Sequence, residues 1–362
     1  MRLLLLTLCC ALSFSSASLF AQDRDIKNVV VFQQEGRFAG WPANFGIWSW
    51  GDEILVGFTD GVYLKNPTGG HDVSRDEPSI TRQARSLDGG ETWTVEEKNW
   101  LHDQEKMHEL TEAIDFSNPE VALNLKGDKI YYSKDKGKSW AGPYQLPTFG
   151  RPDLLSRTDY IIEGPKQVTA FTTATKQNGK EGQPLCMRTN DGGLTWKLVG
   201  WIMEEPAQDY GYAIMPATVS LNENSYLSII RRGGRIDGKK QWWLETFLSP
   251  DKGMSWYELK DETINNAGNP ATLTRLDDNR LAMVYGFRRA PYGIRAKISE
   301  DNGQSWGREM ILRGDSASWD IGYPRTVKRP DGKLVSIYYY HTEGQAFRFI
   351  GCTIWDPENA WY

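Results

Sequence analysis

The chain has 362 residues, of which 25% are charged and 12% aromatic, with 35 Gly, 17 Pro and 15 Trp. This balance excludes a disordered chain, and the glycines follow no three-residue period, which excludes a collagen-like fibre. Lys and Arg total 42 against 47 Asp and Glu with no basic block, so we expect no nucleic-acid partner.

The first element in chain order is a targeting segment. Arg2 precedes an apolar run over 3–12, and small and polar residues lead to Ala21. A positive start, about ten apolar residues and a small residue at the end are typical of a secretory signal peptide. The run is shorter than the roughly 20 residues that cross a membrane as a helix. We predict a cleaved signal over 1–21, a secreted or periplasmic protein, and one domain over 22–362.

The end of this segment has alternatives. Cleavage could fall after Ala17, and Cys9 or Cys10 could serve as the lipidated cysteine of a lipoprotein. Each alternative still predicts an exported chain without a membrane-spanning helix.

One eight-residue pattern, Ser/Thr-x-Asp-x-Gly-x-Ser/Thr-Trp, then occurs five times. The copies cover 86–93, 133–140, 189–196, 249–256 and 299–306. Their starts are 47, 56, 60 and 50 residues apart, which is the spacing of a propeller or another repeat array.

Each copy has the chemistry of a hairpin turn. Asp hydrogen-bonds nearby backbone, and Gly reaches positive φ without steric cost. The Ser/Thr hydroxyls can bond across the turn, and the Trp can pack between neighbouring repeats. We therefore expect a structural role for the Asp of each copy, not a catalytic one.

A second repeat supports a count of six units. A residue followed by Pro precedes an apolar strand pattern, and Pro is tolerated at the first position of a strand. These pairs are Trp41-Pro42, Asn118-Pro119, Arg151-Pro152, Met215-Pro216, Asn269-Pro270 and Tyr323-Pro324. Six openings predict six blades, and we expect 27–33 to supply the last strand of the sixth blade and close the ring.

The two later cysteines are predicted to be free. Cys186 and Cys352 fall in blades three and six, which lie opposite each other in a six-blade ring. That separation exceeds the Cα distance that a disulfide tolerates, so we expect two packed thiols.

The five copies resemble the Asp boxes of the sialidase superfamily, also called bacterial neuraminidase repeats. The resemblance covers essentially all of 22–362 and implies an all-β, six-bladed β-propeller. Asp boxes also occur in propellers without enzymatic activity, so the fold alone does not give the function.

In a propeller, ligands bind where the innermost strands emerge at the axis. The residues near the six openings are therefore our site candidates, and their carboxylates, guanidinium groups, phenols and indoles suit a sugar. They are Arg37, Trp41, Asn44, Asn118, Glu120, Arg151, Asp153, Asp209, Tyr210, Tyr212, Asn269, Asp320, Tyr323 and Arg325.

Sialidases bind the substrate carboxylate with three arginines and attack with a Tyr, which a Glu activates. Tyr323 matches the nucleophile by position. Arg231 or its neighbour Arg232 resembles the second arginine, Arg288 or Arg289 the third, with Arg289 preferred. Arg325, which directly follows Pro324, is expected either to bind the anion or to pair with Asp320 or another neighbouring carboxylate.

The acid/base Asp of the family lies in a loop before the first box. Asp76 is the best match here, with Asp72 as the reserve. Where the family has Arg-Ile-Pro, this chain has Arg37 four residues before Trp41. Met215 stands where the family has the activating Glu, for which Glu204, Glu205 or Asp209 are the nearby substitutes.

Other groups give alternative chemistry. Glu120 and Asp153 directly follow their prolines, and paired carboxylates would support an ordinary glycosidase mechanism. His71 and Asp72 could form a general-base pair. The segment containing His102, Asp103, Glu105 and His108 lacks zinc-type spacing, so we expect a polar segment between blades and no metal or other cofactor.

The sequence therefore predicts an exported exo-glycosidase that cleaves a terminal, acidic sugar from a glycan. In this hypothesis Arg231, Arg289 and Arg325 bind a carboxylate, Tyr323 attacks and Asp76 protonates the leaving oxygen. Trp41, Arg37 and Asn118 complete the substrate site. The alternatives are a glycosidase or lyase for another acidic sugar such as a uronate, and a glycan- or protein-binding propeller without catalysis.

Overall fold

The computed structural model describes residues 26–96, 106–207 and 210–361. In these ranges it contains 24 strands and two short 3-10 helices, Pro42–Asn44 and Pro357–Trp361. The strands form six antiparallel sheets, each of which is one blade of a propeller. The predicted all-β, six-bladed propeller is confirmed.

The first strand, β1 (Ile26–Phe32), belongs to the last blade. The strands of blade one are β2 (Arg37–Gly40), β3 (Ile47–Trp50), β4 (Glu53–Val62), β5 (Ile80–Ser86) and β6 (Thr94–Glu96). Those of blade two are β7 (Ala122–Lys126), β8 (Lys129–Ser133) and β9 (Ala141–Gln145). Those of blade three are β10 (Tyr160–Gly164), β11 (Gln167–Ala174), β12 (Gln183–Thr189) and β13 (Lys197–Trp201).

The later blades are more regular. The strands of blade four are β14 (Tyr212–Ser220), β15 (Tyr226–Ile236), β16 (Lys239–Ser249) and β17 (Tyr257–Ile264). Those of blade five are β18 (Ala271–Arg275), β19 (Leu281–Phe287), β20 (Gly293–Ser299) and β21 (Met310–Arg313). Blade six has β22 (Gly322–Lys328), β23 (Leu334–Tyr340) and β24 (Phe349–Trp355).

The N-terminal strand closes the ring. β1 pairs antiparallel with β24, with Ile26 opposite Trp355 and Val29 opposite Cys352. Blade six therefore has the order β22, β23, β24, β1 from the axis outwards, as the sequence predicts. Because the first and last strands share one sheet, the circular structure has a hydrogen-bonded closure.

Each Asp box forms the turn before the outermost strand of its blade. In the first box, Ser86 Oγ donates to Asp88 Oδ1 at 2.8 Å, and Asp88 accepts from the Thr92 N–H at 2.9 Å and the Thr92 hydroxyl at 2.6 Å. The other four boxes repeat this pattern. Burial, the largest influence, raises the pKa of Asp88, but these hydrogen bonds outweigh it and hold the pKa at about 2.

The boxes also join neighbouring blades. Trp140 of the second box packs against Trp48 of blade one, with ring centroids 5.2 Å apart, and its Nε1 donates to Gln83 Oε1 at 3.3 Å. The tryptophan thus connects two repeats, as its position in the motif predicts.

The cysteines lie where the sequence puts them. Cys186 on β12 and Cys352 on β24 are buried free thiols in blades three and six. Burial raises the pKa of the Cys186 thiol to about 12 and also raises that of Cys352. Both therefore act as small core residues.

In three of the six Pro pairs found in the sequence, the residue before Pro has a left-handed backbone conformation. Trp41, Met215 and Tyr323 have φ of 56°, 56° and 49°. Trp41 precedes the 3-10 helix that separates β2 from β3, whereas Met215 and Tyr323 lie at irregular positions inside β14 and β22. The Pro pairs therefore mark breaks in the innermost strands as well as their starts.

The Asp boxes and the candidate site lie at opposite ends of the blades. The first Asp box lies at the beginning of β4, where the Gly89 N–H donates to Asp52 O at 2.8 Å. The loop that carries His71 follows the other end of β4. Tyr323 is the second residue of β22. Arg329, just past the other end of that strand, donates to Gly89 O in the first Asp box. The candidate site is thus opposite the Asp-box end.

Candidate active site

Tyr323 stands at the axial end of β22 in a strained conformation. Its N–H donates to Asn269 Oδ1 at 2.9 Å, and Asn269 Nδ2 donates to Ile321 O at 2.9 Å. A Cβ at Gly322 would lie 2.5 Å from the Asn269 amide nitrogen, so only glycine fits there. The left-handed region is unfavourable for residues with side chains, and the fully buried Asn269 fixes Tyr323 in it.

Three arginines surround the Tyr323 side chain. Arg231 on β15 donates from Nη1 to the Tyr323 hydroxyl at 3.0 Å. The Arg288 guanidinium carbon, just after β19, lies 5.4 Å from the centre of the Tyr323 ring. Arg157, just before β10, acts on Tyr323 through its charge. Blades three, four and five thus each supply one cation.

These cations are held by neutral groups. Arg288 Nη2 donates to the Tyr339 hydroxyl at 2.6 Å, and Arg157 Nε donates to Asn44 Oδ1 at 2.8 Å. Within the described ranges, none of the three guanidinium groups is in ion-pair contact with a carboxylate, and Arg231 Nε is buried without a hydrogen-bond partner. Glu181 acts on Arg157 and Arg231 through its charge, but no carboxylate in these ranges contacts the three arginines directly, so the arrangement suits an anionic ligand.

The arginines also change the acidity of Tyr323. Burial, the largest influence, would raise the pKa of its hydroxyl, but the charges of Arg231, Arg288 and Arg157 outweigh it and lower the pKa below the ordinary value. Tyr339, which donates to Asp320, has the opposite shift because burial and that carboxylate raise its pKa. Tyr323 is therefore the phenol that ionises more readily.

His71 forms a hydrogen-bonded pair with Asp320. The distance from His71 Nδ1 to Asp320 Oδ1 is 2.6 Å, and the imidazole is one-third exposed. Asp320 is buried and also accepts from Tyr339 at 2.7 Å and from Arg348 Nε at 3.2 Å. Because Nδ1 faces Asp320, Nε2 is the nitrogen that can meet a ligand. The predicted partner Asp72 instead accepts from Arg348 Nη2 at 2.8 Å.

Two indoles flank the imidazole. The ring centroids of Trp41 and Trp319 lie 5.1 Å and 5.3 Å from that of His71. The Arg288 guanidinium carbon lies 5.2 Å from the Trp319 ring, which links the His71 group to the arginines around Tyr323. Indole faces suit the apolar face of a sugar ring.

Several predicted residues have other partners. Arg37 binds Asp60 at 2.7 Å, and Arg82 binds the other oxygen of this fully buried carboxylate. Arg289 is exposed and donates to Asn265 at 2.7 Å, so Arg288 rather than Arg289 lies beside Tyr323.

Arg325 faces a different part of the channel. It donates to Ala43 O at 2.8 Å, and its charge acts on Asp159, so the carboxylate beside it is the second predicted alternative, a neighbour other than Asp320. Both side chains line a cavity of about 380 Å³ with Trp48 and Trp50. Burial, the largest influence, raises the pKa of Asp159 to about 7 despite Arg325.

The predicted carboxylates are not gathered around Tyr323. Asp76 is exposed in the loop after β4, and its N–H donates to Ser74 Oγ at 3.3 Å. Glu120 is exposed, and its carbonyl accepts from the Lys136 N–H at the second Asp box. Asp153 is exposed at the edge of blade three, where its N–H donates to Thr175 Oγ1 at 3.1 Å.

The second opening lies at the wrong end of its blade for a binding role. Asn118 Nδ2 donates to Lys134 O at 3.2 Å, beside the second Asp box. Blade two has three strands in the described part of the chain, and this Pro pair precedes β7 without forming an axial strand of its own.

The substitutes for the missing Glu are also elsewhere. Glu205 pairs with Arg151, Glu204 is exposed, and Asp209 lies outside the described residues. Met215 itself contacts the arginine, with 4.0 Å between its Sδ and Arg231 Nη1.

Sequence reasoning missed Arg157 and the partner of His71. Alternation could have found the first: Ser156 and Thr158 are buried, whereas Arg157 between them is half-buried. No local signal could have found the second, because His71 and Asp320 are 249 residues apart.

No group of three or more metal-ligating side chains occurs in the described part of the chain. His102, Asp103 and Glu105, which the sequence analysis considered, lie outside it. Among the described residues, no helix is long and apolar enough to span a membrane. The predicted signal over 1–21 also lies outside the described ranges.

Comparison with known families places the chain. Residues 117–336 match the family model described as a BNR repeat-like domain. The chain belongs to this BNR repeat-like family. No protein with a curated description matches the sequence.

Solved structures similar to this BNR repeat-like protein share its fold. A protein of unknown function from Dyadobacter fermentans has 21% identity and a TM-score of 0.66, over 91% of this chain and 99% of the other. The α-L-arabinofuranosidase Arb93A of Fusarium graminearum has 14% identity and a TM-score of 0.57, over 92% and 99%. Trypanosoma rangeli sialidase in complex with sialic acid has 14% identity and a TM-score of 0.55, over 91% and 59%.

Proposed function

We propose that this BNR repeat-like protein is an exported exo-glycosidase that hydrolyses a terminal acidic sugar, in the manner of a sialidase. The observation that carries the proposal is the group of three arginines at Tyr323, none of which is in ion-pair contact with a carboxylate in the described chain, although the charge of Glu181 acts on Arg157 and Arg231. Guanidinium groups bind carboxylates in bidentate fashion. The glycosidase neighbours of the same fold support this class of reaction.

The arrangement also favours a particular position of the substrate carboxylate. Arg231 contacts the Tyr323 oxygen itself at 3.0 Å. An anion bound by this guanidinium must therefore lie next to the atom that the tyrosine attacks. The sugar carries its carboxylate on the reacting carbon, as in a 2-keto sugar acid such as sialic acid.

The proposed reaction has two steps. The Tyr323 oxygen attacks the anomeric carbon, the glycosidic C–O bond breaks, and His71 Nε2 gives its proton to the leaving oxygen. The lowered pKa of Tyr323 favours its ionised, nucleophilic form. Water then attacks the glycosyl–tyrosine, His71 takes the water proton, and the sugar is released with retained configuration.

In this mechanism Asp320 positions His71. Its carboxylate fixes Nδ1, so that Nε2 faces the substrate. His71 thereby takes the acid/base role that the sequence analysis gave to Asp76, which is exposed in the same loop.

One observation favours a second candidate, a lyase for uronates. Arg231 lowers the pKa of Tyr323 but cannot accept a proton from it, and Met215 occupies the place of the activating Glu. A tyrosinate could remove the proton from C5 of a uronate whose carboxylate the arginines neutralise. The C4–O bond would break, His71 would protonate the leaving oxygen, and an unsaturated sugar would result.

The test is product analysis with two substrates, a fluorogenic sialoside and tetragalacturonate. The proposal expects release of the fluorophore by the protein beginning at Gln22, and its loss in Tyr323→Phe. The matched control is Tyr257→Phe, since Tyr257 is an exposed tyrosine on the outermost strand of blade four.

The outcomes separate the candidates. Ultraviolet absorbance from an unsaturated product of tetragalacturonate, without sialoside cleavage, would establish the lyase instead. Sialoside cleavage that survives in Tyr323→Phe would refute Tyr323 as nucleophile. Mass-spectrometric detection of a sugar on Tyr323 after reaction with a fluorinated sialoside would support it directly.

A further inference from the structure

A groove beside Tyr323 is not used by the proposed reaction. It encloses about 500 Å³ and is lined by Lys176, Gly179, Lys180, Glu181 and 210–212. Tyr212 separates it from the arginine group, because the Arg231 guanidinium carbon lies 5.7 Å from the Tyr212 ring and 5.8 Å from the Tyr323 ring. The groove therefore lies next to the place where the terminal sugar would bind, with Tyr212 between them.

One wall of the groove is a loop of blade three that is tied firmly in place. The buried Lys176 donates from Nζ to Ala207 O at 2.8 Å and to Gly211 O at 2.6 Å. These bonds connect the loop between β11 and β12 to the segment that carries Tyr210. The shape of the groove is thus set before any ligand binds.

Tyr210 and Tyr212, which line the groove, pack on an extended hairpin of blade four. β15 and β16 have 11 residues each, against seven in the corresponding strands of blades five and six. The added residues lie around the turn at 237–238. Gly233 allows Tyr212 to pack on this hairpin, since a Cβ there would lie 2.3 Å from the Tyr212 ring.

Cations and a second aromatic ring surround Tyr210 beside the groove. Lys240 Nζ lies 4.2 Å and the Arg235 guanidinium carbon 5.9 Å from the Tyr210 ring centre. The Tyr210 ring is 6.5 Å from that of Trp242. Aromatic rings with cations close to them suit sugar rings that carry anionic groups.

The charge of the groove contrasts with that of the whole protein. Lys180 lines the groove, and Lys240 and Arg235 lie over the ring of Tyr210, whereas Glu181 is the carboxylate of the groove lining. The chain as a whole has a net charge of −5. A positive groove on an acidic protein indicates an anionic ligand, because its cations attract such a ligand.

From this groove we infer that the substrate is a polyanionic glycan. The terminal acidic sugar occupies the arginine site, and the following sugars, which also carry carboxylates or sulfates, lie between the blade-three loop and the blade-four hairpin. The inference rests on the proposed function for its starting point, since it takes Tyr323 as the end of the chain. The inference predicts that the sugars following the terminal one are anionic and not neutral.

The test measures binding separately from turnover. The Tyr323→Phe protein is titrated calorimetrically with an α2,8-linked tetramer of sialic acid, with tetragalacturonate, and with sialyllactose, in which the remainder is neutral. We expect a polyanionic tetramer to bind about tenfold more tightly than sialyllactose at low salt, and the difference to shrink as salt is added. Which tetramer binds distinguishes the two sources of carboxylate.

The variants identify the groove as the cause. Lys180→Gln with Lys240→Gln, made in the Tyr323→Phe protein, should weaken tetramer binding by about tenfold. The matched control is Lys138→Gln with Lys197→Gln, which removes two exposed lysines in blades two and three. It should leave tetramer binding unchanged.

Other results would overturn the inference. Equal affinity for a tetramer and sialyllactose would refute it, and so would tetramer binding that the groove variants do not change. If the tetramer binds through the groove but the unmodified protein cleaves nothing, the proposed hydrolysis fails while the groove assignment stands. If the unmodified protein cleaves the sialoside but the groove variants do not change tetramer binding, the proposed hydrolysis stands and the groove assignment fails.

Discussion

Replacing Asp320 by Asn tests the network that orients His71. Asp320 is 1% exposed and receives hydrogen bonds or charge contacts from His71, Tyr339 and Arg348. Asn keeps the shape and can still accept from Tyr339, but it removes the negative charge. Among the described residues, Arg348, itself 4% exposed, then keeps Asp72 as its one carboxylate partner.

The magnitude follows from the pKa of Asp320. Burial, the largest influence, raises this pKa, but His71, Arg348 and Tyr339 outweigh it and lower the pKa from 3.8 to about 2. At 1.36 kcal/mol per pKa unit, the ionised carboxylate contributes about 2 kcal/mol to the free energy of unfolding at neutral pH.

The sign of the pH dependence is fixed by the direction of this shift. A lowered pKa means that the contribution is complete above pH 4 and is lost as pH falls through the folded-state value near 2. About half of it should remain at pH 3. The difference in unfolding free energy between the wild type and Asp320→Asn should therefore decrease in acid.

Urea denaturation at pH 7, 5 and 3 measures this difference. The control is Asp278→Asn, because the side chain of Asp278 is fully exposed at a turn, beside Arg275. A constant deficit for Asp320→Asn at all three pH values would refute the electrostatic account and indicate a packing defect. A variant as stable as the wild type at pH 7 would refute the importance of the network altogether.

Three further predictions concern the scaffold. Asp251→Ala should lower the free energy of unfolding by about 1–3 kcal/mol, since it leaves the Asp-box donors unpaired, and thermal denaturation measures this. Gly303→Ala should be destabilising by roughly 1–3 kcal/mol, because its φ is 82° and the Cβ would lie 2.3 Å from Leu227, whereas Gly179→Ala, with φ of 76° and open space, should cost about 1 kcal/mol. Cys186 should not react with a thiol reagent in the folded protein and should react after unfolding, as mass spectrometry can record.

The fold could be predicted because its signals are local and repeated. Each Asp box carries all of its hydrogen-bonding groups within eight residues, so the turn is encoded in one short segment. The count of blades and the closure by β1 then follow from spacing and from the strand that is left over. Blade two is the exception, because its Pro pair at Asn118 lies beside the Asp box rather than at the axis.

The candidate site could be predicted only in part because its groups converge from distant blades. Tyr323 and Arg231 were found from positions in the repeat, and their hydroxyl and guanidinium lie 3.0 Å apart. Whether Arg288 or Arg289 points inwards depends on how the chain leaves β19, which the sequence does not specify. The partner of His71 depends on the closure of the ring, which brings blade six beside blade one.

The left-handed backbone at three Pro pairs explains why the residues before these prolines lie at the candidate site. Trp41, Met215 and Tyr323 each combine φ near 50° with a following Pro, and their side chains all contact the group around the arginines. A regular strand would alternate its side chains between the two faces of the blade. A break with left-handed backbone turns one side chain out of that alternation and towards the axis, at a cost that the surrounding hydrogen bonds must offset. Asn269 supplies such a bond for Tyr323, so the scaffold holds the proposed nucleophile in a strained backbone conformation.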